Sequence, residues 1–239
     1  MDDFEKATEI IYGSDVMDCI ILAGGKNVRF NGQRKALVKV NGKTLLERQI
    51  EHWKKYCNMV FVAIDTETHH NLYGVLVGSY KYSNEYKGTI LVDESTNKPL
   101  GTAGAVKNVL NKYDVSHRFI VVNVDDLADI NGNELKDPAM GNVVVTKNNV
   151  KLPFRIVEDN GYALPYLTEK KIDSVHIGAL VFNKKDFLDN IKDETVLEEV
   201  FRNINPKNCY EYTHKGYWFP INDEKQRRTA EKYFVQKNI

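Results

Sequence analysis

Two groups of charged residues directly follow apolar, strand-like segments of this sequence. The segment "CIILA" runs into Gly24 and Gly25, and the cations Arg29 and Lys35 follow within a short loop. The segment "FIVVNV" runs into paired carboxylates, of which Asp125 is the first. In an open parallel sheet, ligands bind beyond the carboxyl ends of the strands, where glycine lets backbone N–H groups approach a phosphate. We therefore expect these groups to lie at the ligand-binding edge of a sheet.

The glycine loop matches neither of the common phosphate-binding fingerprints. The stretch "GGKNVRF" lacks the G-x-G-x-x-G spacing of dinucleotide-binding proteins and the G-K-[ST] ending of a P-loop. It supplies the cations and backbone donors that a triphosphate needs, but two glycines after a strand also form ordinary tight turns. Taken alone, the loop is compatible with a phosphate ligand, but an ordinary structural turn is the more common explanation of its sequence.

The composition limits the classes of protein to consider. The chain has 33 Lys plus Arg and 33 Asp plus Glu, a formal net charge of +0, which gives no reason to expect a nucleic acid or an anionic membrane as partner. Its 3 cysteines are far apart in sequence, which argues against a zinc site and a secreted disulfide framework. An acidic start and short apolar runs argue against a signal peptide and a membrane span. We expect a cytoplasmic protein and leave a homo-oligomer open.

Strand-like and helix-like segments alternate along the first part of the chain. Six segments rich in β-branched residues are predicted as strands: "CIILA", "MVFVAI", "GTILVD", "FIVVNV", "NVVVT" and "IGALVF". Between the earlier ones, two apolar stripes at helical spacing predict helices. The residues of these stripes are Leu45, Leu46, Ile50 and Trp53, then Val106, Val109 and Leu110. This alternation predicts an α/β fold with a mostly parallel sheet flanked by helices.

The later part of the chain has shorter strands and more turns. We predict that residues of about 142–175 form a smaller inserted β-rich lobe, after which "IGALVF" returns to the sheet. No linker or repeat divides the chain, so we predict a single domain over residues 1–239, with residues 1–16 as an N-terminal extension.

A series of segments resembles the sugar-1-phosphate nucleotidyltransferase family, the pyrophosphorylases that make nucleotide sugars. In chain order they are "LAGGKNVRF", "RKALVKVNGKTLLERQIE", "NKPLGTAGAVKNV", "FIVVNVDDL", "LTEKK", "IGALVF" and "GYWFPINDEKQ". The resemblance runs from about Met17 to the C-terminus. It implies a Rossmann-like, mostly parallel mixed sheet with a smaller sugar-binding lobe, which is the nucleotide-diphospho-sugar transferase fold.

The resemblance implies roles for the residues of the glycine loop and of the segments that follow it. Arg29 would lie over the departing pyrophosphate, Lys35 would face the phosphates, and Asp125 would complete the catalytic set. The loop between Arg29 and Lys35 is short, and Arg34 stands where most members have proline. The implied nucleotide-binding residues are Leu22, Ala23, Gly24, Gly25, Lys26, Arg29, Lys35, Pro99, Gly101, Thr102, Ala103, Gly104 and Asn123.

The implied sugar phosphate site consists of Glu169, Lys170 and His176. Glu169 and Lys170 match an "EK" pair that binds a sugar hydroxyl and the sugar phosphate, and His176 stands where many members have an asparagine. Each of these residues also has a structural interpretation, because exposed charge is common in turns and a histidine can serve packing alone. Gly101 and Gly104 could likewise be turn residues at a helix N-terminus.

The reaction of this family brings two anions together, so we expect Mg²⁺ held by oxygen ligands. Asp125 falls at the family's metal-binding aspartate, although it could instead cap a helix. Most relatives supply a second ligand from a W-x-D motif, and here Pro220 takes the place of that aspartate. The stretch "INDEKQ" resembles family segments in which the asparagine binds the metal. The corresponding residue here is Asn222, so we predict Asn222 as the second ligand, with Asp223 as the fallback.

The implied function is transfer of a nucleotidyl group from an NTP to a sugar 1-phosphate, which yields an NDP-sugar and pyrophosphate by in-line displacement. Three other functions remain open. The acceptor could be of the phosphocholine or molybdopterin type, and Pro220 could indicate a catalytically silent homologue that binds nucleotide sugars. A glycosyltransferase would account for "DDLAD" as a metal-binding cluster, but it would not account for "LAGG" together with Arg29 and Lys35. The sequence does not specify the base or the sugar.

Overall fold

The computed structural model describes residues 17–24, 30, 34–64, 88–93, 100–151, 156–158, 166–192 and 196–237. The predicted extension at residues 1–16 lies outside this described part. The strands are β1 Asp18–Leu22, β2 Lys39–Val40, β3 Lys43–Thr44, β4 Val60–Ile64, β5 Thr89–Asp93, β6 Arg118–Asn123, β7 Asp126–Ala128, β8 Asn142–Lys147, β9 Val150–Lys151, β10 Ile156–Glu158, β11 Tyr166–Thr168, β12 Lys171–Ile172, β13 Val175–Asn183, β14 Cys209–Thr213 and β15 Trp218–Pro220. The helices are α1 Leu45–Trp53, α2 Gly101–Lys112, α3 Lys184–Asn190, α4 Leu197–Asn203 and α5 Glu224–Lys237.

A seven-stranded sheet forms the centre of the fold, in the order β14-β8-β13-β6-β1-β4-β5. The strands β6, β1, β4 and β5 are parallel to one another. β13 runs antiparallel to both β6 and β8, and β14 is parallel to β8. The predicted α/β fold with a mostly parallel mixed sheet is therefore confirmed.

Helices cover both faces of the sheet, which explains why its central strands are apolar throughout. In β1, Cys19 and Ile21 pack on one face together with α1 and α5, whereas Ile20 packs on the other face together with α2 and α4. The predicted apolar stripes of α1 and α2 are buried against these two faces. None of the helices in the described part of the chain is long and apolar enough to cross a membrane.

The predicted start of the inserted lobe at residue 142 is wrong. β8 belongs to the central sheet, where it pairs with β13 and β14. Its apolar residues Val143 and Val145 are completely buried, so this segment behaves like the other core strands. Among the described residues of this region, the small two-stranded sheets follow β8, as the antiparallel pairs β9 with β12 and β10 with β11.

A short antiparallel pair joins the C-terminal part of the chain to the end of β6. In this pair, β15 lies against β7, and Pro220 is opposite Asp126. Because β7 follows β6 after two residues, this pairing brings the start of α5 to the carboxyl edge of the parallel strands.

A capping box at Thr44 starts α1, the helix that packs behind this edge. The Thr44 hydroxyl accepts a hydrogen bond from the Glu47 backbone N–H at 3.1 Å, and the Glu47 carboxylate accepts from the Thr44 N–H at 2.7 Å. We predict that Thr44→Ala lowers the free energy of unfolding by about 1 kcal/mol, whereas Thr44→Ser keeps the cap and most of the stability. Urea denaturation of both variants would check this, and equal losses would contradict the capping role.

Candidate active site

The predicted catalytic edge lies where β1 and β6 end side by side. The Val124 N–H donates to the Leu22 carbonyl at 3.2 Å, which keeps the segments after these two strands adjacent. A 3₁₀ turn at Lys35–Leu37 follows the glycine loop and opens onto the same edge. The sheet thus places Lys35 and Asp125 together, although they are 90 residues apart in sequence.

Lys35 joins the two residues that were predicted as metal ligands. Its Nζ contacts the Asp125 carboxylate, and it donates to the Asn222 Oδ1 at 2.9 Å. The side chains of Lys35 and Asp125 are 28% and 17% exposed, so the pair faces a partly open edge. Three residues that were predicted separately, one from each third of the chain, therefore meet at one ammonium group.

Backbone and side-chain bonds hold Asn222 in this position. The Ile221 N–H donates to the Asp125 carbonyl at 2.8 Å, which extends the ladder of β7 and β15 up to the residue before Asn222. The Asn222 N–H donates to the Gln226 Oε1 at 2.8 Å. The fallback residue Asp223 has a different contact, since its Oδ1 accepts from the Gln226 N–H at 2.8 Å at the start of α5. The geometry therefore presents Asn222, and not Asp223, to Lys35.

Asp126 points away from Asp125, as the alternation of side chains predicts. Its carboxylate accepts from the Trp218 Nε1–H at 2.9 Å and from the Asn123 Nδ2–H at 3.1 Å. Burial raises the pKa of Asp126, and the nearby charge of Asp125 raises it further, against the opposing effect of the two donors. Gly178 has a φ of +73° and leaves no room for a Cβ, which would lie 2.1 Å from the Asp126 Oδ2. Asp126 is therefore enclosed and fixes the loop beside Asp125.

The arrangement of oxygens could hold a hard divalent cation. Asp125 supplies a carboxylate and Asn222 an amide oxygen, and both accept from the same ammonium group. Oxygen ligands of this type suit Mg²⁺, which usually keeps several waters when bound by one or two side chains. Within the described ranges, no group of three or more His, Cys, Asp and Glu residues forms a metal cage, so a cation at this edge would depend on the asparagine.

The other predicted nucleotide-binding residues lie at the ends of β1 and β6 and the start of α2. Gly24 is exposed, whereas Ala23 is buried and its N–H donates to the Ala63 carbonyl at 2.9 Å. Ala103 is completely buried in the core, so its side chain faces the sheet. The predicted residues Gly25, Lys26, Arg29 and Pro99 lie outside the described residues, and their roles stay predictions.

Gly101 and Gly104 of α2 favour glycine for different reasons. Gly101 has a φ of +70°, which favours glycine at the start of the helix. Gly104 has no positive φ, but a Cβ there would lie 3.0 Å from the Leu100 Cβ. The Gly104 position is therefore tight against its own chain, which supports the structural interpretation. The predicted nucleotide contact of Gly104 stays a prediction.

Thr102 and His176 border a small cavity of about 20 Å³ beside Asn123. The Thr102 hydroxyl accepts from the Leu197 N–H at 2.9 Å and so joins α2 to the start of α4. The His176 Nε2 is buried without a hydrogen-bond partner in the described part of the chain. A ligand could satisfy this nitrogen, so the predicted sugar contact of His176 stays open.

Glu169 and Lys170 are exposed residues between β11 and β12. The Glu169 carboxylate forms a salt bridge with Lys151, and both side chains are more than half exposed. The described contacts do not bring this pair to the edge that holds Lys35. Its role in sugar binding stays a prediction.

Sequence reasoning missed Gln49, which supports the active-site loop from α1. This side chain is 4% exposed and donates to the backbone carbonyls of Asn123 and Asp126. The available signal was its position on the apolar stripe of α1, where a polar residue needs buried partners. A cavity of about 630 Å³ between α1 and α5 lies beyond Gln49 and is lined by none of the predicted site residues.

Comparison with known proteins shows which proteins this site resembles. A family model described as a MobA-like NTP transferase domain matches residues 19–131, which include β1, Lys35 and Asp125. This part of the chain is therefore similar to a nucleotidyltransferase domain. The resemblance that the sequence motifs indicated is thereby confirmed at the level of the domain.

One curated relative aligns with most of this chain. It is a protein of Sulfolobus acidocaldarius to which the name mannose-1-phosphate guanyltransferase has been provisionally assigned, and it is 27% identical over 225 residues. The alignment covers 86% of this chain and 60% of the relative. The chain therefore spans about three fifths of the length of that protein.

Solved structures share the fold of this chain. HddC from Yersinia pseudotuberculosis, solved alone and complexed with GMP-PN, gives a TM-score of 0.68 at 20% identity and covers 92% of this chain and 100% of its own. UDP-glucose pyrophosphorylase, complexed with UDP-glucose, gives 0.64 at 14% identity and covers 93% and 99%. These similarities confirm the predicted fold class.

The different contacts of Asn222 and Asp223 generate a prediction about stability. Because the Asp223 carboxylate caps α5, we expect Asp223→Ala to lower the free energy of unfolding by about 1 kcal/mol, and Asp223→Ser to recover most of it. Turnover per folded molecule should stay near that of the wild type in both variants. Thermal or urea denaturation with parallel activity assays would check this, and a severe loss of turnover with Asp223→Ser would identify Asp223 as a ligand instead.

Proposed function

We propose that this chain transfers a nucleotidyl group from an NTP to a sugar 1-phosphate, with release of pyrophosphate. The observation that carries the proposal is the convergence of Lys35, Asp125 and Asn222 at the carboxyl edge of β1 and β6. The names of the relatives support the choice of acceptor. One is provisionally a mannose-1-phosphate guanyltransferase, and another is a UDP-glucose pyrophosphorylase solved with UDP-glucose.

The proposed reaction is a single in-line displacement at the α-phosphorus. An oxygen of the sugar phosphate forms a bond to this phosphorus, and the bond to the β-phosphate oxygen breaks, so that pyrophosphate leaves with both electrons. The sugar phosphate is already ionised at neutral pH, so the step needs no general base. The protein acts by holding the reactants in line and by stabilising the charge that develops on the departing group. Lys35 would supply positive charge for this stabilisation, and so would Arg29, which lies outside the described residues.

Mg²⁺ is the proposed cofactor, because the oxygens of Asp125 and Asn222 fit its preferred ligands. When bound, it would neutralise the triphosphate and help to hold the reacting groups in place. The Lys35 ammonium now bridges these two oxygens. A cation and Lys35 would therefore compete for Asp125 and Asn222, and Lys35 would become available to phosphate only when it leaves them.

The competition between Lys35 and a metal cation predicts that one substitution strengthens metal binding but lowers turnover. Lys35→Met removes the competing ammonium, so we expect Mn²⁺ to bind the nucleotide-free protein more tightly than it binds the wild type. Turnover should nevertheless fall by roughly 10², because a charge-stabilising donor is lost. Free Mn²⁺ can be measured by electron paramagnetic resonance, and turnover by pyrophosphate release.

Lys39→Met is the matched control for this experiment, since it removes a lysine from an exposed position four residues further along. It should leave both measurements close to the wild type. Weaker Mn²⁺ binding by Lys35→Met than by the control would contradict the proposed competition.

The two proposed ligands should differ in importance. Asp125→Ala removes the charged ligand and should reduce turnover more than Asn222→Ala does. Asn222→Asp retains an oxygen and should keep substantial activity, whereas Asn222→Ala should raise the Mg²⁺ concentration needed for half-maximal rate. Rates measured across a Mg²⁺ titration would give this order. Equal Mg²⁺ requirements in Asn222→Ala and the wild type would remove Asn222 from the site.

A test of the function itself is pyrophosphate release with the four common NTPs, each combined with several sugar 1-phosphates. The MobA-like domain match favours one alternative, a nucleotidyltransferase with a non-sugar acceptor. Release that requires a sugar 1-phosphate supports the proposal. Release only with phosphocholine or a molybdopterin acceptor supports the alternative. No release with any pair, together with binding of nucleotide sugars, would identify a catalytically silent homologue.

A further inference from the structure

The amide of Gln49 crosses from α1 to the loop that carries Asp125. Its Nε2 donates to the Asn123 carbonyl at 3.1 Å and to the Asp126 carbonyl at 2.9 Å. These two carbonyls stand on either side of Val124 and Asp125, so one side chain spans the loop from the end of β6 to the start of β7. Its Oε1 accepts from the Trp53 Nε1–H at 3.1 Å. Both N–H groups and the oxygen of this buried amide are therefore paired.

Backbone hydrogen bonds also hold this loop against β1 and the residue after β15. The Val124 N–H is bonded to Leu22, and the Asp125 carbonyl accepts from the Ile221 N–H. The bonds from Gln49 hold the carbonyls of Asn123 and Asp126 at the two ends of the turn. Since all of these groups are backbone groups, the position of the Asp125 Cα depends on α1 as much as on the sheet.

A purely packing role does not account for an amide at this position. Gln49 lies on the apolar stripe of α1 beside Ile50 and is 4% exposed. Burying a polar side chain costs free energy unless its hydrogen bonds are made. A leucine or methionine would fill the same space without that cost, but it would leave the partly buried carbonyls of Asn123 and Asp126 without this donor.

We propose that Gln49 is a positioning residue, which holds Asp125 at the distance from Asn222 that cation binding and nucleotidyl transfer require. The proposal rests on the function proposed above. Displacement of a reacting group by about 1 Å can reduce a rate by roughly 10². Loss of the two hydrogen bonds should therefore affect the chemical step more than the binding of substrates, because Gln49 acts on the backbone of the loop that carries Asp125.

Gln49→Met tests this proposal, because methionine has a similar length and no donor. We expect kcat to fall by roughly 10-fold to 100-fold, with a KM for the NTP close to that of the wild type. Mn²⁺ should also bind several-fold more weakly to the nucleotide-free protein, which electron paramagnetic resonance can measure without turnover. Ile50→Val is the matched control, since it weakens packing at the next residue of α1 and removes no hydrogen bond. It should leave both measurements unchanged.

Gln49→Glu is a second variant with nearly the same shape, and its carboxylate cannot donate to the two carbonyls. It should lose at least as much kcat and Mn²⁺ affinity as Gln49→Met. A folded Gln49 variant with wild-type kcat and Mn²⁺ affinity would overturn the proposal. Failure of both variants to fold would overturn it too, because Gln49 would then hold the fold rather than the site. If the wild type turns over no NTP, the proposed function fails, while the Mn²⁺ comparison still tests the positioning role.

Discussion

The contact of the Lys35 ammonium with Asp125 and Asn222 is the interaction on which the active site depends. Lys35 is 90 residues from Asp125 and 187 residues from Asn222 in sequence. Only a fold that places β1 beside β6, and then returns β15 to β7, brings all three together. The parallel sheet and the short C-terminal pair together hold the Lys35 ammonium group between the oxygens of Asp125 and Asn222, at a partly open edge of the sheet.

This contact also imposes a constraint on the residues around it. The Asp125 carboxylate faces the Lys35 ammonium group, whereas the adjacent Asp126 carboxylate faces the Trp218 indole and the Asn123 amide. The Trp218 indole and the Asn123 amide satisfy that buried carboxylate, and Gly178 leaves the space for it. Such a network is costly when incomplete, because an unpaired polar group in the interior loses its solvation without compensation. The loop of Asp125 is therefore rigid for reasons that lie in its neighbours.

The sequence contained enough information to predict Lys35 and Asp125, because each follows a recognisable core strand at the ligand-binding edge. Asn222 needed the family resemblance, since nothing in local spacing links it to a residue so distant in sequence. The segment 142–147 was misplaced because a change to shorter strands hides which strand still belongs to the main sheet. Gln49 was missed because an amphipathic pattern averages over a helix, whereas the informative feature was a single polar residue within the buried stripe.

The most direct test of this account is a crystal structure of the protein with Mn²⁺ and a non-hydrolysable analogue of the NTP that supports turnover. The account predicts anomalous scattering from Mn²⁺ coordinated by the Asp125 carboxylate and the Asn222 amide oxygen. It also predicts that the Lys35 Nζ has left both residues and contacts a phosphate oxygen. A complex in which Lys35 stays on Asp125 and Asn222, with Mn²⁺ bound only by the nucleotide and other residues, would contradict it.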